Sequence, residues 1–171
     1  MNTSFNPLPP GYTHVQHTFE PVFDEHSRIL ILGSFPSVKS REIQFYYGHP
    51  QNRFWKLMAQ LLDVPVPQSI DEKKTMLLTH GLALWDVIAS CDIKGSSDSS
   101  IKNAVPTDIS RILKAADIQT IIANGGTAFR LYGRYCEPVT RRPAALCPST
   151  SPANAAFSLE RLSECWSKFI I

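Results

Sequence analysis

Between Phe45 and Trp55 the chain reads FYYGHPQNRFW. Tyr46, Tyr47, Phe54 and Trp55 offer flat apolar faces, with His49 and Asn52 set among them. Aromatic rings stack on a planar heterocycle, worth about 1–3 kcal/mol per base in single-strand binders. A carboxamide donates and accepts hydrogen bonds, so Asn52 could read the edge of such a ring. An imidazole can donate a hydrogen bond near neutral pH. Gly48 and Pro50 interrupt any regular repeat, so the segment reads as a loop entering a helix. Plainer uses stand beside these. Asn52 can cap the helix that follows, at least two of the aromatics are expected in the core, and His49 can be a structural hydrogen-bonder.

The elements that must hold this loop alternate between strand and helix. "RILILG" (28–33), "LALWDVIA" (82–89), "IQTIIANGG" and "AALCP" are short apolar runs, expected as buried strands. "RFWKLMAQLL" places Phe54, Leu57, Met58, Leu61 and Leu62 on one helical stripe. Ser69 and Glu72 stand in capping-box spacing at the start of a second helix that closes at Gly81. Thr107 is expected to cap a helix from Asp108 to about Ala116. Helices are expected from Thr127 and along the C-terminal run. "HVQHTFEPVF" (14–23) reads as an edge strand ended by Pro21, behind a proline-rich, draped start. "SCDIKGSSDSSIKNAVPTD" reads as a polar loop. The alternation predicts one α/β domain over 23–171, preceded by an N-terminal extension over 1–22. Its parallel sheet is expected to be covered on both faces.

In open parallel sheets ligands bind beyond the carboxyl ends of the strands. Gly33, Ser34, Phe35, Asp86, Asn124, Gly125 and Ser149 to Ser151 should therefore converge with the aromatic loop at one edge. Asp86 is the only carboxylate expected there. It could act as a base for water, or merely cap a loop. The serine-rich "SSDSS" and "PSTSP" loops could grip phosphates through hydroxyls and backbone N–H groups, or simply be solvated.

Several chemistries are disfavoured. The net charge of +2 over 171 residues permits contact with a polyanion without demanding it. Cys91, Cys136, Cys147 and Cys165 form no C-x-x-C pair, so no metal site is expected. There is no G-x-G-x-x-G and no Gly-rich loop with Lys for nucleotide phosphates. Ser34 and His49 lack the G-x-S-x-G elbow of a nucleophilic hydrolase. No apolar run approaches a membrane span and no signal peptide is read, so a cytoplasmic protein with reduced thiols is expected. What remains is a pocket for a flat, uncharged heterocycle, as enzymes acting on an extruded base require.

"LILGSFPSVKS", "FYYGHPQNRFW", "LALWDVIASC", "GSSDSSIKN", "ANGGTAF" and "PSTSPANAAFSLE" together resemble the hypoxanthine-DNA (deoxyinosine) glycosylase branch of the uracil-DNA glycosylase superfamily. The likeness runs in order from about Phe23 to the C-terminus. It implies a three-layer α/β/α sandwich with a short, mainly parallel four-stranded sheet. It implies excision of a deaminated base, chiefly hypoxanthine, from DNA by a monomer with no metal and no cofactor. The first motif lacks the Asp or Asn that positions water elsewhere in the superfamily. The resemblance therefore makes Asn52 the essential residue, expected to position water and touch the base. It gives Asn124 a contact to the base and places Pro148 to Pro152 as the DNA-gripping loop, with Ser149, Thr150 and Ser151 on the phosphates. Main-chain N–H groups of Ser34 and Phe35 would bond the base carbonyl. Phe35, Tyr47 or Phe54 would stack, and His49 would donate to the base or a phosphate. Ser37 and Cys147 depart from many relatives, which carry glycine and leucine there. Other readings are a glycosylase for uracil or thymine in mismatches, a non-catalytic base or nucleic-acid binder on the same fold, and an unrelated hydrolase using Ser34 and His49.

Overall fold

The computed structural model describes residues 6–170. The strands are β1 (Thr13–Gln16), β2 (Ile29–Gly33), β3 (Leu82–Asp86), β4 (Ile88–Ile93), β5 (Lys102–Pro106), β6 (Thr120–Asn124) and β7 (Ala145–Cys147). The helices are α1 (Val38–Ile43), α2 (Phe54–Leu62), α3 (Ile70–Thr79), α4 (Ser110–Ala115), α5 (Gly126–Tyr135), α6 (Glu137–Thr140) and α7 (Leu159–Trp166).

The main sheet runs β3-β2-β6-β7, and every pair in it is parallel. Its strands are near-continuous apolar runs because both faces are covered. Ile31, Leu84 and Ile122 pack under α2, α3 and α7, with Trp166 and Leu57 fully buried. Leu30, Leu32, Ala83 and Ile121 pack on the other face against Ile112 of α4 and Leu131 and Tyr132 of α5. This is the expected three-layer α/β/α sandwich. The Ser69 hydroxyl accepts from Glu72 N–H at the start of α3, and Gly81 closes the turn after it at φ +70. Ser37 caps α1, its hydroxyl accepting from Ser40 N–H.

A second, antiparallel sheet, β1-β4-β5, differs from expectation. The run 82–89 is two strands, not one. At Val87 the chain leaves the parallel sheet, and Thr107 N–H bonds the Val87 carbonyl as β5 returns. The stretch taken as a polar loop forms most of this hairpin. β5 has one half-buried residue among exposed ones, so it carries no apolar alternation. The N-terminal strand is shorter than 14–23 and pairs Thr13 to Gln16 with Ser90 to Ile93; Val22 bridges Leu84 separately. From Thr13 to Val22 the chain is thus built into the body. Thr107 caps nothing: α4 starts at Ser110, the Thr107 hydroxyl is buried without a partner among the described residues, and Asp108 Oδ1 receives Ser110 N–H instead.

Candidate active site

The carboxyl ends of β2, β3 and β6 open into a cleft of about 780 Å³. Gly33, Ser34, Phe35, Tyr47, His49, Asn52, Asp86, Asn124, Ser149, Thr150 and Ser151 all line it. Phe54, expected as a stacking ring, does not. It is fully buried at the start of α2 and lies beneath Tyr47, ring centroids 4.2 Å apart. The apolar stripe of α2 claims it for the core.

Thr150 is the hub. Its side chain was expected on a phosphate, but the residue is 0% exposed. Its hydroxyl donates to Asn52 Oδ1 at 2.9 Å and accepts from Asn124 Nδ2 at 3.0 Å. Its N–H donates to Asn124 Oδ1 at 3.0 Å. Asn52 Oδ1 also accepts from Phe54 N–H at 2.9 Å, so Asn52 meets an open N–H of the first turn of α2 from one residue before the N-cap, which is Arg53 and has no side-chain cap bond of its own. Both bonds fall on the oxygen. The amide N–H2 is left without a partner among the described residues, on a side chain that lines the cleft. Thr150→Val keeps the shape and deletes the link. It should cost about 1–3 kcal/mol, the range for stranding a buried polar partner, as read by urea unfolding.

The cleft floor is built on close approach. Gly33 and Asp86 are register partners at the strand ends. A Cβ on Gly33 would lie 2.4 Å from Asp86 Oδ1 and 3.2 Å from the Tyr47 hydroxyl. Only glycine leaves room for both groups over the strand end. Tyr47 is held in the left-handed region at φ +51. Its hydroxyl is buried and has no hydrogen-bond partner among the described residues. Burial, then the nearby Asp86 charge, push the phenol's pKa up, and the Asn124 side chain offsets part of this. The phenol therefore stays protonated and able to donate.

Three contributors were not foreseen. His17 Nε2 bonds Asp86 Oδ2 at 2.8 Å, with both side chains about 5% exposed or less. Asp98, from the turn at 98–100, accepts from the Ser34 hydroxyl at 2.8 Å. Burial pushes its carboxyl above the ordinary range; the Ser34 bond offsets part of that and Asp86 adds to it. Asp86 is thus not the only carboxylate. Arg53 braces the far loop, its guanidinium donating to the carbonyls of Ser151, Asn154, Thr150 and Phe157. The serine-rich loop hinted at Asp98. Nothing in the strand–helix alternation pointed to His17 or Arg53.

Other polar groups keep spare capacity. His49 Nδ1 accepts from Gln51 N–H at 3.1 Å, so a neutral ring carries its proton on Nε2. Ser149 and Ser151 hydroxyls accept from the N–H groups of Ser151 and Ala153, leaving their own protons free. No Lys or Arg lines the cleft, and among the described residues no three His, Cys, Asp or Glu side chains gather.

Fold and cleft together define an α/β/α domain whose cleft has aromatic, carboxamide and carboxylate walls at the carboxyl ends of a parallel sheet. A family model described as the uracil DNA glycosylase superfamily matches residues 20–170. The chain belongs to that superfamily. It is 36% identical over 154 residues to a protein of Methanosarcina acetivorans named hypoxanthine DNA glycosylase, covering 88% of this chain and 95% of that one. A protein of the same name from Methanosarcina barkeri is 36% identical over 127 residues, or 72% of this chain and 76% of the relative. A solution NMR structure from Methanosarcina acetivorans, described as a candidate uracil DNA glycosylase, superposes with a TM-score of 0.76 at 33% identity. It covers 88% of this chain and 93% of its own.

Proposed function

We propose that this protein is a monofunctional DNA glycosylase that removes a deaminated base, chiefly hypoxanthine, from DNA, working as a cytoplasmic monomer without metal or cofactor. The observation that carries this reading is the Asn52–Thr150–Asn124 chain. It fixes two carboxamides in the lining of a cleft without Lys or Arg among the described residues, and it leaves the Asn52 amide N–H2 without a protein acceptor there. The names of the relatives agree with it.

The reaction breaks the bond between C1′ and the base. Its electron pair leaves with the base while positive charge grows on the sugar. Water then adds to C1′, and the proton it gives up ends on the departed base, leaving a 1′-hydroxyl and a neutral base. Groups placed for the charge that develops do most of the work. Asn52 N–H2, His49 Nε2–H and the Tyr47 hydroxyl can donate to the departing base. Asp86 and Asp98 can favour the cationic sugar. Phe35 and the Tyr47 ring wall the base, with the main-chain N–H groups of Ser34 and Phe35 available to its carbonyl. Asn124 holds the Thr150 side of the cleft. Ser149 and Ser151 offer hydroxyl protons to phosphates, and Thr150 acts by holding Asn52.

The test is alkaline strand cleavage of end-labelled duplexes with one deoxyinosine, one deoxyuridine opposite dG, or undamaged sequence. The expected result is cleavage at deoxyinosine and none in undamaged DNA. Cleavage at deoxyuridine with none at deoxyinosine would move the reading to the uracil enzyme that the solved relative's description suggests. Binding with no cleavage of either would overturn catalysis.

A further inference from the structure

His17 lies ahead of the segment matched by the superfamily, which starts at residue 20, yet its ring sits behind the cleft lining and bonds Asp86, which is part of that lining. β1 delivers it: His17 N–H bonds the Ala89 carbonyl at 2.8 Å, one residue past the last β1–β4 pair. The ring is caged by Phe19, Tyr46 and Phe35, with centroids 4.3, 5.9 and 6.3 Å away. Nε2 bonds only one carboxylate oxygen of Asp86, Oδ2. Oδ1 has no partner among the described residues and sits over Gly33 with the unpartnered Tyr47 hydroxyl.

We propose that His17 is a positioning residue for substrate choice: it locks Asp86 so that Oδ1, an acceptor, stands beside the Tyr47 hydroxyl, a donor, as a two-point match for a lactam edge, N–H beside C=O. Hypoxanthine presents that edge as N1–H and O6. Adenine presents the reverse, an acceptor N1 beside an N6 donor, and would face Oδ1 with a lone pair. The neutral phenol and the carboxylate, both desolvated, make the mismatch costly because neither finds water in its place. This rests on the glycosylase reading and goes beyond it by assigning what tells a lactam base from adenine and a residue outside the family match.

The experiment measures single-turnover excision from duplexes carrying deoxyinosine or 1-methyldeoxyinosine, which lacks the N1–H. Proteins are wild type, His17→Ala, His17→Gln and Asp86→Ala, each checked for folding by thermal melting. Wild type should excise 1-methylhypoxanthine at least about 100-fold more slowly, since a site built to bond an N–H rejects its absence by up to about 10⁴- to 10⁵-fold. Asp86→Ala should bring that ratio to within about 3-fold, since a cavity no longer reads the edge. His17→Ala should slow deoxyinosine excision about 10- to 100-fold by freeing the carboxylate to rotate. His17→Gln, whose amide nitrogen reaches the place of Nε2, should restore most of the rate. Equal excision of the two bases by wild type overturns the proposal whatever the variants do, and so does a glutamine variant no better than alanine. Wild type inactive on deoxyinosine here and on deoxyuridine in the strand-cleavage assay above instead removes the glycosylase reading, and this inference falls with it.

Discussion

Asn52→Ala is expected to slow hypoxanthine excision by about 10²- to 10³-fold under single turnover, the loss seen when one preorganised donor to developing negative charge is removed. The bonding pattern makes Asn52 a donor. Oδ1 is saturated by Phe54 N–H and the Thr150 hydroxyl, so only Nδ2 has hydrogens to give. A proton acceptor for water is what this side chain is least able to be. Asn52→Asp separates the two roles. Aspartate keeps both acceptor bonds, so it should fold and cap α2 as well as wild type. It loses the N–H2 and sets a negative charge where the base departs with its electrons. Its rate should fall as far as that of alanine. An Asn52→Asp enzyme with retained or raised activity would instead assign Asn52 to water activation. Alanine also loses the cap, worth about 1 kcal/mol, or about 2–4 °C in Tm for a chain of this size. Melting of both variants separates instability from lost chemistry.

Strands β2, β3, β6 and β7 were legible because a parallel sheet covered on both faces must be apolar at every position. The convergence of Gly33, Asp86, Asn124 and Ser149 followed, since strand ends of a parallel sheet face one edge. β5 was not legible. Its side chains are mostly exposed, and Asn103 at φ +52 turns its amide back to Asp92 at 2.8 Å. That is a local polar device with no periodicity. The break at Val87 was hidden because the apolar run continues from one sheet into the other. Composition could nominate Tyr47 and Phe54 together as stacking rings. Which one faces the cleft depends on the left-handed turn at Tyr47, which lays its ring over Phe54 and leaves Phe54 in the core. His17 and Arg53 act across 69 and about 100 residues of chain, and such pairings leave no local trace.

Arg53→Ala is expected to be among the most damaging changes outside the cleft floor. The Arg53 guanidinium serves carbonyls along the loop from 150 to 157: Ser151 at 2.9 Å, Asn154 at 3.1 Å, Thr150 more weakly at 3.4 Å, and Phe157. Its backbone N–H takes the Thr150 carbonyl as well, at 3.1 Å. The Trp166 ring N–H to the Pro148 carbonyl, the Asn154 amide to the Ser149 carbonyl and the bonds of Thr150 to Asn52 and Asn124 hold the start of the loop. Beyond Thr150 the Ser151 and Asn154 carbonyls keep only turn bonds inside the loop, from Asn154 N–H and Phe157 N–H, so without Arg53 that stretch loses its tie to the start of α2. Hydrogen bonds from a charged donor are worth about 1.5–3 kcal/mol each, and bonds sharing one side chain do not add. A loss of about 2–4 kcal/mol follows, or roughly 5–15 °C in Tm at this chain length. Thr150 shares that loop, so excision should fall too, even well below the new Tm, because Asn52 loses its fixed partner. Arg53→Lys carries the same charge and should rescue little: a single ammonium cannot span carbonyls that a planar fork reaches. A lysine variant with wild-type melting and rate would show that the loop needs only a positive charge, and the bracing role would be lost.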